Sequence, residues 1–180
     1  MLSPMTIVYT IGHSTRPAEE FVSLLKGHGI RTLVDVRTIP KSRHNPQFGG
    51  EALARTLADA GIDYVHEPDL GGLRKPRPDS INDAWRNTSF RGYADYMQTP
   101  TFAAAVDRLV DRAQQAPTAI MCAEAVPWRC HRSLVADALT ARGDEAREIV
   151  SETKSTLHKL TSFARVDGDR VTYPATGTLL

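Results

Sequence analysis

TAIMCAEAVPWRCHRSLVADAL, residues 118–139, decides the fold. Thr118–Cys122 is an apolar run of strand length, and Leu134, Val135, Ala138 and Leu139 recur at helical spacing behind it. A strand apolar on both faces belongs inside a parallel sheet, and parallel neighbours need a crossover helix to connect them. Between strand and helix stand Cys122, Glu124, Cys130, His131 and Arg132. Such groups are costly to bury unpaired, so the turn is a reaction centre, a metal site or an ion-paired corner of the core.

The same alternation extends in both directions. Met5–Ile11, Thr32–Val36, Asp63–His66 and Ala146–Val150 read as further buried strands. Phe21, Leu24, Leu25 and His28 mark a helix opened by Pro17, Glu19 and Glu20 and ended at Gly27 or Gly29; Leu53, Leu57 and Ala60 mark a second, closed by Gly61. An insert follows, with LGGLRKPRPDS as a turn-rich loop or lid and helices at Tyr93–Met97 and Phe102–Ala116. FARVDGDRVTYP, with Asp167-Gly168 between alternating residues, reads as a hairpin or loose arm. The expected fold is a single α/β domain over residues 1–180, with its core at about 5–174. Its mostly parallel sheet is flanked by helices in a Rossmann-like three-layer arrangement, with the hairpin or arm at the C-terminus.

Composition limits the function classes. Lys and Arg number 22 against 21 Asp and Glu, a formal charge of +1, which argues against extended nucleic-acid contact or attraction to an anionic membrane. No window has the length of apolar sequence that spans a bilayer, and MLSPMTIVYTIG lacks the pattern of a secretory signal, so a cytoplasmic protein with two reduced thiols is expected. Oligomeric state is not legible.

In open α/β sheets ligands bind beyond the carboxyl ends of the strands. The residues there are Gly12, His13 and Ser14 after the first strand, Asp35, Arg37 and Ser42 after the second, His66 and Glu67 after the third, and Cys122 and Glu124 after the fourth. A parallel sheet brings them to one edge with Cys130, His131 and Arg132. Arg132 sharpens the choice, because a helix start is already partly positive and a cation there needs an anion nearby. Glu124 and Asp35 supply it, or a ligand does.

The cysteines admit four readings: buried small hydrophobes, a nucleophile at Cys122, metal ligands with His131 and His13, or a redox pair. The strand–Cys–loop–helix order is shared with rhodanese-like sulfurtransferases and Cys-dependent phosphatases. Those place Arg six residues after the cysteine, where this chain has Trp128. No zinc-type or C-x-x-C spacing is present, so no metal is assigned and the cofactor stays unknown.

YTIGHST, VDVRTIPKSR, FRGYADYM and MCAEAVPWRCHR, in this order, resemble the bacterial family known as domain of unknown function 488, from about Tyr9 to about Pro174. The resemblance implies an α/β fold and the importance of His13, Ser14, Asp35, Arg37, Cys122, Glu124, Cys130, His131 and Arg132. It implies no reaction.

The expectation is an enzyme or enzyme-like binder that takes a small phosphate- or carboxylate-bearing ligand at the carboxyl edge of the sheet. Arg37 and Arg132 would hold the anion beside Ser14, Ser42 and Cys130. His13 or His131 would transfer protons, Cys122 would do nucleophilic or redox chemistry, and Asp35 or Glu124 would orient. Two alternatives stand beside it: a nucleotide- or nucleic-acid-associated protein using the same pocket, and a non-catalytic domain whose polar corner is structural.

Overall fold

Alternate residues of the central strand feed two separate cores. The computed structural model describes residues 4–175. In it Thr118–Cys122 is β4, with every residue buried. Ala119 and Met121 point into one core with Ile11 and Leu33; Ile120 and Cys122 point into the other with Val8 and Val34. This period of two, apolar on both sides, is what a sheet sandwiched between helical layers requires.

The strands are β1 (Ile7–Gly12), β2 (Thr32–Asp35), β3 (Asp63–His66), β4, β5 (Glu145–Ile149) and β6 (Ser155–Leu157). Their order across the sheet is β3-β2-β4-β1-β5-β6. The first five are parallel and β6 pairs antiparallel to β5 at the edge. The expected single-domain three-layer fold is therefore present. Its strand order departs from the doubly wound 3-2-1-4-5, because β4 lies between β2 and β1.

Helices α1 (Ala18–Gly27) and α2 (Gly50–Asp59) cover one face through Phe21, Leu24, Leu25, Leu53 and Leu57. The other face holds α3 (Thr88–Tyr96), α4 (Pro100–Gln115) and α5 (Arg132–Ala141), with Phe102, Val106, Leu109, Leu134 and Leu139 buried. Burying one such side chain contributes roughly 1.5–3 kcal/mol. Local chemistry sets the helix starts. Asn87 accepts from the N–H groups of Ser89 and Phe90, and Thr99 from that of Phe102 ahead of Pro100.

The chain leaves β1 and β2 for the α1/α2 face but leaves β4 for α5 on the opposite face. This divergence opens the carboxyl edge of the sheet on either side of β4.

The C-terminal hairpin pairs β7 (Arg165–Asp167) with β8 (Arg170–Thr172) across a turn with Gly168 at φ 61°. It is anchored and not loose: Val171 and Tyr173 are buried, and Tyr173 Oη donates to Asp137 Oδ2 at 2.7 Å. The loop after β3 is pinned as well. Arg74 lies 3.6 Å over the Tyr96 ring and donates to the carbonyls of Gly71 and Pro68. No helix among the described residues is long and apolar enough to cross a membrane.

Candidate functional site

Gly12 and Cys122 are register partners at the ends of β1 and β4. Beyond them His13 N donates to Cys122 O at 2.9 Å and Ser14 N to Ala123 O at 3.0 Å, so the two strands stay zipped past the sheet. A side chain at position 12 would collide with the Glu124 carbonyl, which explains the glycine. Ser14 takes φ 52°, turning the chain away toward α1.

Asp35 and Arg37 form the second part of the edge. Arg37 donates through Nε to Asp35 Oδ1 at 2.9 Å and through Nη2 to Oδ2 at 2.6 Å, a bidentate pair, and Tyr64 Oη donates to Oδ2 at 2.6 Å. Burial first, then the Asp35 carboxylate, holds the Tyr64 hydroxyl firmly protonated. His13 is buried and stacked on Phe48 at 4.4 Å. Its Nδ1 faces the Ser14 carbonyl at 2.7 Å and so carries the proton, which leaves the Nε2 lone pair toward Arg37 Nη1 at 3.5 Å. Desolvation, reinforced by Arg37, lowers the His13 pKa and keeps the ring neutral. Three of the five N–H groups of Arg37 are thus engaged and two remain.

His131 repeats the pattern on the other face. Its Nε2 lies 2.9 Å from Val36 O and must donate, so Nδ1 is an acceptor, 3.6 Å from Cys130 Sγ. Burial pushes its pKa down to about 4. The ring packs against Tyr93 and beneath Gly72, where a Cβ would lie 2.6 Å from Nδ1.

The sulfurs of Cys122 and Cys130 face one another in contact. The single helical turn Pro127–Arg129 folds the loop back and returns Cys130 to the strand end, so the two thiols expected from the sequence lie side by side. Arg132 lies behind them, fully buried. It donates through Nη1 to Cys122 Sγ at 2.8 Å and Glu124 O at 2.5 Å, and through Nη2 to Ala125 O at 3.2 Å and Glu148 Oε1 at 2.7 Å. Its Nε alone has no partner among the described residues.

The edge residues therefore converge, but not into one pocket. A cleft of about 400 Å³ is lined by Arg37, Cys122, Glu124, Cys130 and His131, with Lys41 and Arg129 at its mouth and Ile39, Leu73 and Phe90 on its walls. Lys41 and Arg129 are exposed and make no side-chain ion pair or hydrogen bond among the described residues. A second cleft of about 520 Å³ lies across the β4–α5 loop, lined by Thr10, Trp128, Arg132 and Glu148. His13 and Asp35 stand behind Arg37, and Ser14 turns away from it.

Several residues stand apart from their expected roles. Arg132, read as an anion ligand, is committed to Glu148 and three neighbouring groups. Glu124, read as an orienting carboxylate or the partner of Arg132, instead accepts from Val126 N at 3.1 Å. Ser42 accepts from Asn45 N at 3.2 Å within its own turn. Glu67 pairs with Arg108, and His66 donates to Arg37 O at 2.7 Å. Trp128 borders the second cleft and is 72% exposed. Glu148, Tyr64 and Lys41 were not singled out by sequence. Glu148 becomes visible only through register, which sets it opposite Thr10, whose hydroxyl it accepts. Among the described residues no group of three or more His, Cys, Asp or Glu is placed to hold a metal ion.

The family model described as "Domain of unknown function DUF488" matches residues 17–139. The chain belongs to this family. The DUF488 match is narrower than the resemblance from Tyr9 to Pro174, yet it takes in Asp35, Arg37, Lys41 and the whole Cys122–Arg132 turn. His13, Ser14 and Glu148 lie outside it. No curated protein and no solved structure matches this DUF488 chain.

Proposed function

We propose that this protein is an enzyme or enzyme-like binder whose ligand is a small molecule bearing a phosphate or carboxylate, held in the cleft between the ends of β2 and β4. The observation that carries this reading is Arg37. Its guanidinium is fixed by Asp35 and braced by His13, yet two N–H groups remain at a cleft whose other cations, Lys41 and Arg129, are also unpaired among the described residues. A preorganised planar fork flanked by exposed cations suits an oxyanion, and Ile39, Leu73 and Phe90 suit an apolar body attached to it.

Within this reading His13 positions Arg37 and does not transfer protons, since its one lone pair already faces Arg37. His131 keeps an unprotonated Nδ1 beside the sulfurs and serves as a hydrogen-bond acceptor for a thiol there. Cys122 is the reactive group, because Arg132 Nη1 favours its thiolate when the pair is reduced.

Melting temperature in the presence of phosphate, sulfate, acetate and a nucleoside monophosphate tests the proposal. Binding to the folded state raises it by mass action. The gain should shrink in Lys41→Ala and Arg129→Ala, which alter exposed side chains only. Shifts of equal size in all three proteins, or none with any anion, would remove the basis for the site.

A further inference from the structure

Cys122 and Cys130 are eight residues apart, both line the cation-bearing cleft, and each has its own polar neighbour. Arg132 Nη1 lies 2.8 Å from Cys122 Sγ, and His131 Nδ1 lies 3.6 Å from Cys130 Sγ. Those neighbours are chemically unequal. A permanently charged guanidinium stabilises a thiolate, whereas a neutral imidazole with a free lone pair accepts a hydrogen bond from a thiol and leaves it protonated. Cys122 is thus set up as a nucleophile and Cys130 as a thiol that is deprotonated only when it attacks.

We propose that the pair is a reversible oxidation site for hydrogen peroxide, with Cys122 as the attacking sulfur and Cys130 as the resolving one. The sulfurs are nearly buried, and the cleft above them admits a molecule of peroxide size. The Cys122 thiolate attacks one peroxide oxygen, the O–O bond breaks, and Cys122 becomes a sulfenic acid while hydroxide leaves. Cys130, its S–H held by a hydrogen bond to His131 Nδ1, then attacks the Cys122 sulfur. The S–O bond breaks, and the departing hydroxide takes the Cys130 proton and leaves as water. A small dithiol reductant returns two electrons and two protons to reset the pair.

Oxidation also changes the floor of the cleft. In the reduced state a thiolate faces the cations, and in the disulfide that negative charge is gone, so anion affinity rises on oxidation. This consequence rests on the anion-binding reading; the oxidation chemistry does not.

The experiment uses reduced full-length protein treated with hydrogen peroxide, alkylated and mapped by mass spectrometry, with dimedone as the sulfenic acid probe. Wild type should yield the Cys122–Cys130 disulfide. Cys130→Ser should stop at a dimedone adduct on Cys122, and Cys122→Ser should leave Cys130 an alkylatable thiol. His131→Gln should slow disulfide closure by about tenfold or more without slowing adduct formation at Cys122. Two alkylatable thiols after peroxide in the folded wild type, or an adduct on Cys130 and not Cys122, would overturn the proposal. Equal closure rates would overturn the part given to His131. The melting shift with phosphate should be larger for oxidised than for reduced wild type, and equal shifts would overturn the coupling. Failure of the anion reading would show separately, as no shift in either form while the cysteine mapping still gave its result.

Discussion

Arg132 donates to Glu148 across 2.7 Å, from the first residue of α5 to a carboxylate on β5. Arginine at a helix N-terminus opposes the helix dipole, and here Glu148 and the carbonyls of Glu124 and Ala125 offset it. The same guanidinium ties down the loop that carries both cysteines.

Arg132→Ala should therefore act on stability. It leaves Glu148 without its cation and three further acceptors unfilled, a loss of about 3–5 kcal/mol in a urea titration. Replacing the pair together, Arg132→Met with Glu148→Gln, should recover part of it. A stable Arg132→Ala protein that had lost its response to phosphate would instead make Arg132 a ligand-binding residue.

Gly12 offers a second test. Its α-carbon faces the Glu124 backbone where β1 and the β4–α5 loop converge, and backbone cannot step aside as a side chain can. Gly12→Ala should cost about 1–3 kcal/mol by overpacking, while Gly49→Ala, at an ordinary negative φ and with the Pro46 carbonyl no nearer than 3.3 Å, should cost less. Denaturant midpoints compare the two. Equal losses would mean the strand ends are not held as tightly as the His13 and Ser14 hydrogen bonds imply.

Acid should weaken the fold through the histidines. His131 titrates near 4 when folded against 6.5 when unfolded, and burial lowers His13 too. Between those values the unfolded chain binds more protons, so stability is complete above about pH 6.5 and falls as pH drops toward 4. His131 alone accounts for up to about 3 kcal/mol of that loss. Unfolding free energy measured from pH 7 to pH 4 should slope accordingly, and His131→Gln should flatten the slope. An unchanged slope in the variant would contradict the buried neutral imidazole.

Much of this was legible in the residues, and the reason is periodicity. Thr118–Cys122 had to be buried on both faces, parallel strands had to be joined by helices, and His13, Asp35, Cys122 and Arg132 then had to reach one edge. What the spacing could not carry was lateral order. Only the placement of β4 between β2 and β1 puts Arg37 on one side of the β4–α5 loop and Glu148 on the other. Arg132 therefore found its carboxylate partner on β5 and takes only the backbone carbonyl of Glu124, although Glu124 is nearer in sequence. Ser42 was read as a site residue because it follows a strand, but it satisfies a backbone N–H in its own turn, a local competition that short polar side chains often win. The approach of the two sulfurs was hidden because their spacing matches no familiar motif; the proline-started turn at Pro127 brings them together.

Diffraction from crystals grown with selenate in place of sulfate tests the central claim most directly, since selenium marks an oxyanion by its anomalous signal. An anomalous peak within hydrogen-bonding distance of Arg37 Nη1, in the cleft bounded by Lys41, Arg129 and the two cysteines, is the result expected. A cleft without selenium at saturating selenate, with Arg37 still paired to Asp35, would contradict the account and leave this polar edge a structural feature of the fold.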